Sequence, residues 1–442
     1  MDNEIIELLP NEKAFGSDMI AGLQEGVMIT SIFKLKETSS ESSYTTFTEY
    51  FQTRAIEVLN ANKWLTSRLK HLKRPSKRLA LVVDNDKINQ ESLLDYIVIE
   101  TDENVVKNCQ NSKDLSYDSI KSVVSKYDVG HAKDLWDKED AKMCRFGQIW
   151  NPEKTICYMF IVISHVLTDG YSVYRIWRMF DPKDNVVSLS YIRNQDFVNS
   201  LKTETSLLPV DCSMRELYSK FDYVAVPAFA MKGISQAIKK TTFKGCFYKL
   251  NQDFIQKEKH KYSDEDGFVS TNDIITSWFA GLIKKHGQSK IDKIIMYVDC
   301  RGRIPGIEND MVGNYITNPV MQKKDMQTPK DVRKWVQTIT QKDNSWSFPS
   351  FSDFRKFIGC FHTNWVKFYH HLNFDDFEHV LHFPVFGDLD LQLGLGIPVG
   401  LEINIIIFKS NQTDICCYLY TRRSDIDFEK ILEEEIIDSV LM

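Results

Sequence analysis

His165, Asp169 and Gly170 form the pattern His-x-x-x-Asp-Gly, whose residue types can carry acid-base chemistry. A histidine near its ordinary pKa of about 6.5 can take a proton from an alcohol or an amine at neutral pH, provided that its ring is held still. Asp169 can hold the ring still by a direct hydrogen bond, or it can fix the turn by pairing with a distant cation. Gly170 permits a backbone conformation that a Cβ would obstruct. The pattern predicts a general base, although a structural histidine followed by a helix-capping aspartate has the same spacing.

The residues around this pattern predict a strand, a polar turn and a helix. The stretch 157–163 is apolar and uncharged, which is typical of a strand covered on both faces. Apolar residues recur at helical spacing over 173–180. Ser164 precedes the histidine on the strand and is expected to point to the other face, so the sequence offers no nucleophile beside His165.

The length of 442 residues predicts two domains of about 200 residues each. We place an N-terminal domain at 1–185, a crossover segment at 186–240 and a C-terminal domain at 241–442. Helices are predicted at 49–70, 118–126, 253–260 and from Ser270, and strands at 79–83, 96–100, 146–150, 158–163, 243–250 and 294–298. This alternation indicates a mixed α/β fold.

Composition excludes several classes of function. The 55 basic and 61 acidic residues give a net charge of -6, without the basic field that nucleic-acid binding requires. The nine cysteines show neither zinc spacing nor a disulfide framework, which favours a reducing compartment. The N-terminus lacks a secretory signal, and the longest apolar runs are shorter than the roughly 20 residues that span a bilayer. We therefore predict a cytoplasmic monomer that acts on small molecules.

Two arginines, Arg301 and Arg303, follow the apolar strand predicted at 294–298. Such residues are often strand-end charges in solvent. One of them could instead form a bidentate pair with Asp169 and fix the turn that carries His165. In that arrangement Asp169 is structural and does not contact the imidazole.

A third group of candidate residues begins with Thr363 and Trp365. A threonine hydroxyl or an indole N–H can donate to a developing oxyanion, although a tryptophan is more often part of the core. The same region contains four histidines, His370, His371, His379 and His382. Their spacing matches no zinc signature, so we predict no metal site.

Taken in order, these motifs resemble the BAHD-type acyltransferases and the wider chloramphenicol-acetyltransferase and condensation-domain superfamily. The resemblance rests on ISHVLTDGYS at 163–172, FVSTNDIITSWFAGL at 268–282, VDCRGRIPGIENDMVGN at 298–314 and Thr-Asn-Trp at 363–365. The match breaks after Asp376-Phe377, where Glu378-His379-Val380 replace the Gly-Trp-Gly of the family.

The resemblance implies two pseudo-symmetric domains of the chloramphenicol-acetyltransferase type with a tunnel between them. It implies that His165 acts as the base, that Asp169 pairs with Arg301, and that Thr363 or Trp365 helps to hold a tetrahedral intermediate. Acyl-CoA would be a co-substrate, with no permanently bound cofactor, and a hydroxyl or amine of a small molecule would be the acceptor. Two alternatives stay open: a condensation-type enzyme with a carrier-bound donor, and a non-catalytic binding protein of the same fold.

Overall fold

The computed structural model describes residues 4–9, 12, 26–40, 42–71, 79–83, 89–106, 115–130, 135–204, 244–263, 267–286, 293–317, 319–338, 358–385, 400–421 and 426–441. In chain order the strands are β1 (Glu4–Glu7), β2 (Gly26–Leu35), β3 (Arg68–His71), β4 (Leu79–Val83), β5 (Ile97–Thr101), β6 (Cys144–Trp150), β7 (Ile156–Ser164), β8 (Lys244–Leu250), β9 (Lys293–Met296), β10 (Val298–Asp299), β11 (Ile316–Thr317), β12 (Val320–Gln322), β13 (Ile358–Asn364), β14 (Phe377–Val385), β15 (Gly400–Lys409), β16 (Ile415–Thr421) and β17 (Ile437–Val440). The α-helices are α1 (Ser42–Ala61), α2 (Gln90–Leu94), α3 (Tyr117–Val124), α4 (Gly170–Arg178), α5 (Phe197–Glu204), α6 (Gln252–Tyr262), α7 (Thr271–His286), α8 (Pro329–Thr338) and α9 (Phe428–Ile431).

Two mixed sheets dominate the described residues. A five-stranded sheet has the order β14-β2-β7-β6-β5, and a seven-stranded sheet has the order β12-β9-β13-β15-β16-β8-β17. β6 and β7 contain the strands predicted at 146–150 and 158–163, and they pair antiparallel. The sheets and the helices packed on them confirm the mixed α/β class.

Strand β7 is buried along its whole length, as its uncharged sequence predicts. Ile161 and Ile163 lie in a core cluster with Val173 and Trp177 of α4. The alternate residues, including Phe160, lie in a second cluster that also contains residues of the seven-stranded sheet. Because both faces of β7 are packed, the position at which the strand ends is well defined.

Strand β14 joins the five-stranded sheet although it lies far along the chain. It pairs antiparallel with β2 from Phe377↔Leu35 to Val385↔Met28. The residues just before it, from β13 onward, therefore lead from the seven-stranded sheet to the five-stranded one. The domain limits at 1–185, 186–240 and 241–442 stay a prediction.

One prediction was wrong in part. The helix predicted at 49–70 is α1, which ends at Ala61, because Asn62 leaves the helical conformation and Arg68–His71 pairs with β4. The crossover segment contains α5, and Phe197 and Leu201 on this helix are fully buried. Residues 205–240 of the crossover lie outside the described residues. Within the described ranges, no helix combines the length and apolar composition needed to cross a bilayer.

Candidate functional site

The His165 turn, residues 165–169, connects the end of β7 to the start of α4. His165 is partly exposed, whereas Ser164 and Val166 on either side of it are buried. The backbone carbonyl of His165 accepts a hydrogen bond of 2.8 Å from Nδ2 of Asn314, a buried residue. The backbone is therefore fixed at His165 itself.

Asp169 uses its two carboxylate oxygens for two different purposes. Oδ1 caps α4 by accepting hydrogen bonds from the backbone N–H and the hydroxyl of Ser172, at 2.9 and 2.8 Å. Oδ2 accepts from Nη1 of Arg301 at 2.8 Å, and both side chains are almost fully buried. Asp169 is thus both the helix cap and the ion-pair partner that the sequence left as alternatives. The pair has one hydrogen bond and is not bidentate, because the cap occupies the other oxygen.

Arg301 distributes its other donors over the loop that follows β10. Nη1 also bonds Asp299 Oδ1 at 2.8 Å, Nε bonds the carbonyl of Met311 at 2.7 Å, and Nη2 bonds the carbonyl of Gly313 at 2.6 Å. Arg303, the other candidate, is exposed. The guanidinium therefore ties the cap of α4 to the loop at 299–313.

A second buried ion pair contacts Asn314. Glu12 and Arg193 have fully buried side chains, and Nε of Arg193 lies 3.0 Å from both carboxylate oxygens of Glu12. Oε1 of Glu12 accepts from the backbone N–H of Asn314 at 2.9 Å. Gly313 has φ +129°, and a Cβ there would lie 2.8 Å from Glu12 Oε1, so glycine is required by both conformation and space.

Gly170 is needed for close approach and not for an unusual backbone conformation. A Cβ at this position would lie 3.1 Å from both Cε2 and Nε1 of Trp365, and Gly170 is not among the residues with positive φ. The indole therefore packs directly on the first residue of α4. The sequence-based reason for this glycine was wrong, although the residue does lie at the predicted place.

Thr363 lies on β13, and Trp365 follows the end of that strand. Thr363 is paired with Ile406 of β15, while the backbone N–H of Trp365 donates to the carbonyl of Ile407. Their spacing of two residues places them on the same side of an extended chain. Trp365 thus packs on Gly170, which directly follows the His165 turn. Thr363 lies two residues before Trp365, on β13.

Burial is the largest influence on the His165 imidazole, and it lowers the pKa below the ordinary value of 6.5. The negative charge of Asp169 and a hydrogen bond between the imidazole and the side chain of Asn314 act in the opposite direction. A lowered pKa leaves the imidazole unprotonated at pH 7, which is the form that can accept a proton.

Three of the histidines that follow Trp365 make polar contacts with other side chains of the protein. Nδ1 of His382 lies 2.8 Å from Ser31 Oγ, and its Nε2 lies 2.7 Å from the hydroxyl of Tyr174 on α4. His379 Nε2 lies 3.2 Å from the same serine hydroxyl, and His370 Nε2 lies 3.1 Å from Asp181. In the described part of the chain, no group of three or more His, Cys, Asp or Glu side chains is arranged to hold a metal ion.

Sequence reasoning missed the roles of Glu12, Arg193, Ser172 and Asn314. Asn314 belongs to the Gly-Asn element of the resemblance, and its position after a glycine was the available signal. Ser172 was visible as the residue three positions after a capping aspartate. Glu12 and Arg193 had no local signal, since they are 181 residues apart in the chain.

No protein-family model matches the sequence, and a comparison with curated protein sequences finds no match. Solved structures match nearly the whole chain. TRI101 of F. graminearum, complexed with coenzyme A and T-2 mycotoxin, has a TM-score of 0.55 and 12% identity and covers 99% of this chain and 100% of its own. Vinorine synthase has a TM-score of 0.56 and 8% identity, covering 100% and 98%.

The condensation domain from the Monacolin K polyketide synthase MokA has a TM-score of 0.58 and 7% identity, covering 98% of this chain and 96% of its own. At such identities the similarity establishes the fold and not the reaction. The chain therefore shares its fold with TRI101, vinorine synthase and the MokA condensation domain.

Proposed function

We propose that this protein is an acyltransferase that moves an acyl group from an acyl-CoA thioester to a hydroxyl or amine of a small molecule. The observation that carries this proposal is the His165 turn. A single partly exposed imidazole, with a pKa below 6.5, stands on a backbone that buried hydrogen bonds and an ion pair hold in place.

The proposed reaction uses His165 as a general base. The imidazole takes the proton of the acceptor hydroxyl or amine as the acceptor attacks the thioester carbonyl. The resulting tetrahedral intermediate collapses, the C–S bond breaks, and the imidazolium returns the proton to the leaving thiolate. Thr363 and Trp365 are proposed to contact the intermediate, because Trp365 packs against the first residue of α4 and Thr363 lies two residues earlier, near the end of β13.

The choice of donor and the tunnel are supported by fold similarity. The F. graminearum TRI101 structure contains both coenzyme A and T-2 mycotoxin, a thiol cofactor and a small molecule in one protein. We propose that this protein likewise binds a CoA thioester and a small-molecule acceptor, and that both reach His165 through a tunnel between the two halves of the chain.

The test is thioester consumption by the purified protein. A panel of acyl-CoA compounds is combined with small alcohols and amines, the released thiol is titrated, and acylated products are identified by mass spectrometry. We expect His165→Ala to lower kcat/KM by about 10²- to 10⁴-fold, the usual contribution of a general base. His260→Ala, at an exposed position on α6, is the matched control. Full turnover by His165→Ala would overturn the proposal.

A condensation-type reaction is the second candidate, because the MokA condensation domain has the same fold. It predicts turnover of an acyl group on a phosphopantetheinyl carrier protein and none of free acyl-CoA. A non-catalytic protein would bind thioesters without transfer to any acceptor. Parallel assays with free and carrier-bound donors separate the three cases.

A further inference from the structure

The buried pair of Glu12 and Arg193 contacts the candidate active site as well as the backbone of Leu9 and Tyr191. Arg193 Nη2 donates to the carbonyl of Leu167, in the middle of the His165 turn, at 2.9 Å. Its Nη1 donates to the carbonyl of Val312 at 2.9 Å. One guanidinium therefore bonds the turn and the loop that carries Asn314.

Glu12 completes the same connection. Its Oε1 accepts from the N–H of Asn314 at 2.9 Å, and the side chain of Asn314 donates to the carbonyl of His165 at 2.8 Å. The carbonyls of His165 and Leu167 are thus held by Asn314 and Arg193, and Glu12 contacts both of these residues. All the side chains involved are buried, so water does not compete for these bonds.

We propose that Glu12 and Arg193 are positioning residues for His165, acting through the two carbonyls of its turn. Replacing a buried ion pair by apolar residues is often neutral for stability, so stability alone is a weak reason for such a pair. Placing a reacting group is a stronger reason, since a shift of about 1 Å can cost about 100-fold in rate. The inference rests on the proposed function.

The experiment uses Glu12→Gln, Arg193→Gln and the double variant in the full chain, with Asp273→Asn as the matched control. Asp273 is a fully buried carboxylate paired with Arg333 and makes no bond to the His165 turn. We expect each single variant to lower kcat by about 10-fold or more, with the KM for acyl-CoA changed by less than about 3-fold, because orientation and not binding is lost. We also expect the double variant to lose less than the product of the singles, because the two residues act as a unit.

A second readout does not depend on turnover. The His165 imidazole is titrated by NMR in protein with labelled histidine, and its resonance is assigned from its absence in His165→Ala. We expect the resonance to move in both single variants, and its pKa to fall in Glu12→Gln, because the charge of Glu12 raises it. Asp273→Asn should leave the His165 signal in place.

The outcomes separate this inference from the proposed function. If the wild-type protein transfers no acyl group, the proposed function fails and the NMR titration alone decides the positioning role. If the melting temperature falls while the His165 resonance and kcat stay at wild-type values, the pair is only structural and the inference is overturned. Should the neutral variants not fold, Arg193→Lys keeps the charge but loses the fork that bonds Leu167 and Val312, and the same result is expected from it.

Discussion

His379 makes the stability of this protein sensitive to acid. Its pKa is lowered to about 3, first by burial and then by the charge that His371 carries when protonated. The ring centroids of these two histidines are 4.7 Å apart. In the unfolded chain the pKa of His379 returns to about 6.5. Between pH 6.5 and 3 the unfolded state therefore binds a proton that the folded state does not bind, and the free energy of unfolding falls as the pH falls.

The size of this effect follows from the two pKa values. Each pH unit below 6.5 costs up to about 1.4 kcal/mol, so His379 alone removes about 2 kcal/mol from the free energy of unfolding between pH 7 and pH 5. Above pH 7 it removes nothing. The neighbouring His382 acts in the same direction, because its pKa lies well below 6.5 as a result of burial.

The assay is urea unfolding at pH 7, 6 and 5, followed by tryptophan fluorescence, for the wild type and for His379→Asn. As the pH decreases, the free energy of unfolding should fall more steeply for the wild type than for His379→Asn. The difference between the two free energies should change by about 2 kcal/mol between pH 7 and pH 5. His260→Asn, at an exposed position on α6, is the control. Parallel curves for the wild type and His379→Asn would refute the reasoning.

Two further predictions concern the helix start beside His165. Asp169→Asn keeps the helix cap but removes the carboxylate charge that faces buried Arg301. We expect the free energy of unfolding in urea to fall by about 3 kcal/mol, which is the low end for a broken buried pair because Asp299 still pairs with Arg301. A loss below about 0.5 kcal/mol would contradict the ion-pair argument. Gly170→Ala places a Cβ 3.1 Å from the Trp365 indole, so we expect a destabilisation of about 1 to 3 kcal/mol and a changed Trp365 emission; an unchanged emission spectrum would show that the indole does not pack there.

The sequence was sufficient for the parts of the site that local patterns encode. The uncharged run that ends at Ser164 predicted β7, and the periodicity after Gly170 predicted α4. The residue types left open whether the strand-end arginines lie in solvent or pair with Asp169, and the resemblance implied the pair with Arg301. The fold followed from the order of the motifs, and the solved structures confirm it.

The remaining contacts depend on segments that are distant in the chain. No pattern near Glu12 or Arg193 indicates that either is buried, and each is buried only because the other neutralises it. The role of Gly170 could not be read either, because the atom that excludes a Cβ belongs to Trp365 on another part of the chain. Sequence periodicity reports which face of an element is covered, but not which residue covers it.

The arrangement around His165 supports the proposed function over the alternative of a protein that only retains the fold. Apolar packing is sufficient to close a turn between a strand and a helix, and buried ion pairs contribute little net stability. Here two buried pairs, Asp169 with Arg301 and Glu12 with Arg193, both contact the His165 turn. Their combined effect is to fix the backbone beneath one partly exposed histidine while they contact no solvent themselves. Proton transfer requires a catalytic side chain that is held in a fixed position. The rate of proton transfer depends on the position of the imidazole far more strongly than the affinity for a ligand does.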